Sequence, residues 1–175
     1  MTIPDYQKLM LPLLAFSGDE KEHSVREVIE YLSKLFNLTD QERNEFLPSG
    51  QQNLIDNRVG WAKTYLLKAG LLESTKRSFF IISKAGIEVL KTKPQEINNN
   101  FLRQYPAFVE FRTRREHTTI SIEEKVELDQ TPQELLEIGY QKLNSDLIQE
   151  LLKTIHQCSP KFFERLVVDL LREFN

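Results

Sequence analysis

The sequence predicts a mainly α fold with one small β-hairpin. Three observations lead there. From Asn53 onward the apolar residues Ile55, Val59, Ala62, Leu66 and Ala69 recur at steps of four, three, four and three. At 100° per residue they share one helix face. Gly70 follows the last of them, where a left-handed residue closes a helix. Two short apolar runs come next, Leu71-Leu72 and Phe79-Phe80-Ile81-Ile82, separated by the polar turn Ser74-Thr75-Lys76-Arg77. The second run is aromatic and β-branched, as a strand should be. With the helices expected before this block, the pattern is a winged helix-turn-helix, followed by a linker and two C-terminal helices. In that fold a helix enters a DNA groove while the hairpin grips the backbone.

The elements follow in order. Residues 4–16 form a first helix with Tyr6, Leu9, Met10, Leu13 and Leu14 on its apolar face, and Gly18-Asp19 breaks it. Glu22-His23 is a short extended link. Ser24-Val25-Arg26-Glu27 is a capping box, in which serine and glutamate satisfy each other's free amides. The helix it opens carries Val25, Val28, Ile29, Leu32, Leu35 and Phe36 on one side. Thr39 to Glu42 is a second capping box, starting a short helix to about Phe46. Pro48-Ser49-Gly50 leads into the reading helix. After the hairpin, Ser83 to Gly86 opens a helix through about Lys91, and Pro94 stops it. Asn98-Asn99-Asn100 is a polar turn. The aromatics from Phe101 to Phe111 form a strip that packs back on the domain.

Arg112, Arg114 and Arg115 begin a linker that runs to Gln130, mostly charged or β-branched and without a sustained period. The expected domains are therefore 1–111, a linker at 112–130 and a helical segment at 131–175. Thr131-Pro132-Gln133-Glu134 is a strong helix start, with an N-cap, a proline at the first helical position and a glutamate at the third. Leu136, Tyr140, Leu143, Leu147, Leu151 and Ile155 line that helix. Ser159-Pro160 starts another, with Phe163, Leu166, Val167, Leu170, Leu171 and Phe174 as its stripe. So much apolar surface needs a cover: the other helix, a partner, or the rest of a domain.

Composition sets outer bounds. The 175 residues are 40% hydrophobic with eleven Phe, enough for a core. A single cysteine, Cys158, allows no intramolecular disulfide and fits a reducing cytosol. Leu9 to Phe16 is apolar but too short to span a membrane, and no signal peptide is visible, so a cytoplasmic protein without membrane contact is expected. His23, His117 and His156 are far apart and leave no zinc pattern.

Charge is uneven. The formal net charge is -3, but residues 51–93 hold eight Lys/Arg against three Asp/Glu, while residues 1–50 hold five against nine. The basic block coincides with the proposed reading helix and wing, so it can anchor a few phosphates. Opposite the apolar stripe the helix carries Asn53, Asn57, Gly60 and Thr64, flanked by Asp56, Lys63 and Lys68. Asn and Gln pair with adenine in the major groove. The candidate DNA-binding residues are Gln52, Asn53 and Asn57 at base edges, Thr64 on the same surface, and Lys63, Lys68, Lys76 and Arg77 on phosphates. Arg58 falls beside the apolar stripe, and an ion pair with an acid of the preceding helices is its favoured role. Trp61, the one tryptophan, is read as a packing residue.

Several stretches together resemble the Mrr family of restriction endonucleases: IPDYQKLMLPLL, LPSGQQNLIDNRVGWAKTYLLKAGLLE, SFFIISKAGIEVL and CSPKFFERLVVDLLREF. The most specific part is Asn57-Arg58-x-Gly60-Trp61-Ala62 followed by Ala69-Gly70-Leu71. The resemblance runs from Ile3 to the last residue. It implies an N-terminal winged helix joined to a nuclease domain of PD-(D/E)xK type, which acts on modified DNA with Mg²⁺. FFERLVVDLL matches the first helix of that nuclease domain. The catalytic aspartate and the later Gln-x-Lys motif belong on strands beyond this helix, and Glu164 and Asp169 read as its solvent face. The chain thus resembles a truncated or split Mrr-type protein. No catalytic residue, metal ligand or cofactor is assigned to it, and endonuclease activity in the chain by itself stays open. Its expected partner is double-stranded DNA, methylated or unmethylated, with a homodimer through the C-terminal helices as a further option. The alternative function is a winged-helix transcriptional regulator or a protein-docking module that dimerises through those helices.

Overall fold

The computed structural model describes residues 3–116 and 130–173. They fall into two units, Met1–Leu135 and Leu136–Asn175.

The first unit opens with α1 (Tyr6–Phe16), capped by Asp5, whose Oδ1 accepts from the amides of Gln7 (3.0 Å) and Lys8 (2.9 Å). A short 3-10 turn at Ser17–Asp19 leads to β1 (His23–Ser24) and α2 (Val25–Leu35). Both expected capping boxes form, Ser24 with Glu27 at the start of α2 and Thr39 with Glu42 at α3 (Asp40–Arg43). The helix after Thr39 is thus one turn long and stops short of Phe46, which instead makes an isolated antiparallel bridge with Asn53.

Helix α4 (Leu54–Lys68) lies at the centre, with α1, α2, the strand Leu72–Lys76 and the later helix Pro106–Glu116 all packed against it. It ends in a Schellman motif. Gly70 takes φ +76°, its amide donates to Leu67 O, and the Leu71 amide donates to Leu66 O. Strand β2 (Leu72–Lys76) and β3 (Phe79–Ile82) form the hairpin, and β1 joins β3 antiparallel to give the sheet order β1-β3-β2. The link read as merely extended at His23 is therefore a strand, paired His23 to Phe80 and Ser24 to Phe79. The tight turn is Arg77-Ser78, with Ser78 at φ +64°, because β2 continues through Lys76 after a bulge.

Helix α5 (Lys84–Lys91) is fastened to the end of α4. Ser83 Oγ donates to Gly70 O (2.6 Å) and accepts from the Gly86 amide (3.1 Å). A Cβ on Gly86 would sit 2.2 Å from Leu71 O, so only glycine allows this approach of backbone to backbone. Two helices then appear where irregular chain was expected. The asparagine run becomes α6 (Asn99–Leu102), capped by Asn98, and the aromatic strip becomes α7 (Pro106–Glu116). Helix α7 passes Arg112, where the linker was expected to begin; most of that linker lies outside the described residues. The strip does pack back. Phe108 is fully buried, and Tyr65 of α4 meets Tyr6, Trp61, Phe108 and Phe111 edge-on at 5.4–6.2 Å.

Helix α8 (Pro132–Gln157) begins in the first unit and continues into the second, which also holds α9 (Pro160–Glu173). Beyond the first turn of α8, large apolar side chains of both helices stand exposed, from Leu136 to Leu171. Among the described residues no helix is long and apolar enough to cross a membrane.

Candidate nucleic-acid interface

Helix α4 is covered by neighbours on most of its circumference. The partly open arc carries Asp56, Gly60, Lys63, Thr64 and Leu67, and Lys68 is exposed at its end. A Cβ on Gly60 would meet nothing within 4 Å, so the space in front of it is open. Thr64 Oγ1 donates to Gly60 O at 2.8 Å, which keeps its hydroxyl close against the helix. Burial pushes the Lys63 ammonium below the usual lysine range and the Asp56 carboxyl above the usual aspartate range, the latter offset by Arg43. Lys68 Nζ lies 5.2 Å from the centre of the Phe111 ring.

The carboxamides lead elsewhere. Asn53 is the N-cap of α4 by backbone geometry, but its side chain makes no cap bond. Asn57 is only 3% exposed. Its Nδ2 donates to Gln52 Oε1 (3.2 Å) and Gln133 Oε1 (2.7 Å), and its Oδ1 accepts from Thr131 Oγ1 (2.7 Å). Both hydrogens and one oxygen lone pair of Asn57 are therefore spent inside the first unit, and Gln52 is drawn into the same network. Next to it Arg58 makes a two-toothed pair with Glu134: Nε to Oε1 at 3.0 Å and Nη2 to Oε2 at 2.9 Å. Its Nη1 donates to Ile3 O (2.7 Å) and Pro4 O (3.2 Å). Arg58 does take a structural ion pair, but with an acid that follows it by 76 residues. Trp61 packs at the core edge against Tyr65.

Thr131, Gln133 and Glu134 are partners of α4 that the sequence does not reveal. Their helix-start pattern is local, and nothing in it tells which surface receives the capped turn.

At the hairpin, Lys76 and Arg77 are both exposed. Lys76 Nζ lies 4.1 Å from the Phe79 ring centre and 2.7 Å from Glu22 Oε2, while Thr75 Oγ1 donates to Glu22 Oε1 at 2.6 Å. Those contacts hold the Glu22 carboxyl below the usual glutamate range, the Lys76 bond first and the Thr75 bond second. A separate hollow of about 480 Å³ between α1 and residues 95–100 is lined by none of the expected contact residues.

The family model for the Mrr N-terminal domain matches residues 6–92. Over that stretch the chain is similar to the N-terminal domain of Mrr proteins. That match runs from the first residue of α1 to the C-cap of α5 and includes Gln52, Asn53, Asn57, Lys63, Thr64, Lys68, Lys76 and Arg77. The chain is also similar to the type IV methyl-directed restriction enzyme EcoKMrr of Escherichia coli (strain K12), 27% identical over 184 residues. The alignment covers all of this chain and 60% of that relative, so the chain spans less than two thirds of the relative's length. No solved structure matches it. Thr131, Gln133 and Glu134, which hold Asn57 and Arg58, lie beyond the Mrr N-terminal match.

Proposed function

We propose that this Mrr N-terminal domain is a winged helix-turn-helix that binds double-stranded DNA, as the recognition part of a modification-dependent restriction endonuclease. The observation that carries the reading is the element order. Helix α1, strand β1, helix α2, the one-turn helix α3, helix α4 and the β2-β3 hairpin follow one another with the sheet order β1-β3-β2, and the hairpin tip carries Lys76 and Arg77. This is the order of a domain that reads a groove with its α4 and holds the backbone with its hairpin. Lys63, Lys68, Lys76 and Arg77 contact phosphate. Asn53 and Thr64 face base edges or sugar, with Gln52 beside them. Asn57 holds the Thr131–Gln133 segment instead of a base, because its donors are already used. The relative is named as methyl-directed, and on that support methylated duplex is the preferred ligand. Cleavage falls to a Mg²⁺-dependent nuclease domain, and no catalytic residue of this chain is assigned to it.

The test is binding to short duplexes, methylated and unmethylated, across a salt series. The wild-type chain binds, and affinity falls as salt rises. Reversing both charges, Lys76→Glu with Arg77→Glu, lowers affinity at least tenfold and flattens the salt slope by about two, one per lost phosphate contact. An unchanged slope would remove the hairpin from the interface. The exposed apolar residues of α8 and α9 favour a second reading, a regulator or docking module that dimerises through them; a mass measurement that finds a monomer rejects the dimer.

A further inference from the structure

The geometry points to Glu22 as an internal anion occupying a phosphate seat on the hairpin, so that DNA backbone enters only by displacing it. The inference rests on the DNA-binding reading above and adds a residue that opposes binding.

The seat is made of neighbouring donors, the Thr75 hydroxyl and the Lys76 ammonium. Each is taken by one oxygen of the same carboxylate, at 2.6 and 2.7 Å. A hydroxyl and an ammonium presented side by side to two oxygens are also what the two non-bridging oxygens of a phosphodiester require. The ammonium is held in position by the Phe79 ring at 4.1 Å, so the seat is ordered before any ligand arrives.

The fold has little need of the Glu22 contact. The link between β1 and the hairpin is already fixed by backbone pairing, His23 with Phe80 and Ser24 with Phe79, and by the Val25 amide on Ser78 O. Glu22, Thr75 and Lys76 are all exposed, and exposed ion pairs stabilise folds weakly. The same exposure lets a phosphate replace the carboxylate without opening the core. Among exposed carboxylates of the first unit, Glu22 is placed on the basic tip expected to hold DNA. Its consequence is that Lys76 is neutralised until a phosphate outcompetes a tethered anion.

The experiment compares the wild-type chain with Glu22→Gln on one duplex by anisotropy across a salt series. The variant keeps a side chain of the same size and removes the charge. It is expected to bind about three- to tenfold more tightly at low salt, with a slope steeper by up to about one. Adding Lys76→Gln to it abolishes the gain, while Lys76→Gln in the wild type costs less than in the Glu22→Gln background. Equal or weaker binding by Glu22→Gln, with an unchanged slope and unchanged melting temperature, overturns the role of Glu22 and leaves the DNA reading intact. A lower melting temperature with weaker binding identifies Glu22 as a brace and also overturns it. Absence of binding by both proteins at low salt overturns the DNA reading and this inference together.

Discussion

Helices α4 and α9 reverse the usual relation between pattern and burial. Helix α9 has a clean stripe, Phe163, Leu166, Val167, Leu170 and Leu171, with charges opposite it. Yet none of its described residues is buried, and Leu171 is 62% exposed. Helix α4 has apolar residues spread around most of its circumference, with Lys, Arg and Asn among them, and it is the most enclosed helix of the first unit. Ile55, Val59, Ala62, Tyr65 and Leu66 are buried against α1, α2, α7 and β2. An amphipathic stripe is a capacity to bury area, and it becomes stability only where another surface removes that area from water.

The largest test of this contrast is a pair of identical truncations. Leu66→Ala removes a fully buried side chain from α4 and is expected to cost about 2–5 kcal/mol, transfer and cavity terms together. Leu143→Ala in α8, where the side chain is 70% exposed, should stay within about 0.5 kcal/mol in a dilute monomeric sample. Urea unfolding of the full chain reads both. A cost at Leu143 close to that at Leu66 would mean that the second helix face is covered in solution.

The next test titrates the core beneath α4. Burial pushes the Tyr6 phenol up to about 12, Tyr65 adds to the shift, and the hydrogen bond from Asn99 Nδ2 at 2.6 Å works against it. A phenol ionises near pH 10 in the unfolded chain. Tyr6 therefore contributes its full stability below pH 10, and loses it as pH rises through the folded value. The two-unit difference corresponds to about 2–3 kcal/mol by linkage. Melts between pH 9 and pH 12 should show this loss, and Tyr6→Phe should flatten it. An equally steep alkaline loss in Tyr6→Phe would assign the effect to other groups.

A smaller effect is expected where α4 holds a distant segment. Arg58→Ala leaves the Glu134 carboxylate, 6% exposed, without its counter-charge. Keeping it buried would cost about 3–5 kcal/mol. Releasing Thr131–Glu134 to water costs only their few hydrogen bonds, about 1–2 kcal/mol net, so release wins. The expected signature is faster amide exchange at Glu134 and Leu135, whose amides donate to Thr131, with α4 itself still protected. Arg58→Met combined with Glu134→Leu should restore slow exchange; failure to do so would place the docking energy in Asn57 instead.

Local chemistry was legible from residues near one another in sequence. The Ser24–Glu27 and Thr39–Glu42 capping boxes, the Gly70 helix end, the hairpin and the Pro132 and Pro160 helix starts all appear where the sequence puts them. Each depends on backbone amides and side chains within a few residues, so sequence spacing contains the geometry. The basic hairpin tip was legible from the same short stretch, although Lys76 ends β2 and only Arg77 of the expected Ser74–Arg77 turn lies in the turn itself. Tertiary structure decided the rest. Two residues at His23–Ser24 carry no strand signal and pair only because β3 offers them an edge. The Asn99 and Pro106 helices are short or weakly patterned and are held by packing, Asn99 through Tyr6 and Gln7 and Phe108 through Tyr65. Most of all, the wheel put Asn57 on an open face, because a wheel knows one helix and not its neighbours. The segment that covers Asn57 and pairs with Arg58 arrives more than 70 residues later in the chain, and Glu22 reaches Thr75 across 53. Whether a polar side chain is free to meet a ligand depends on such contacts, which no periodicity encodes.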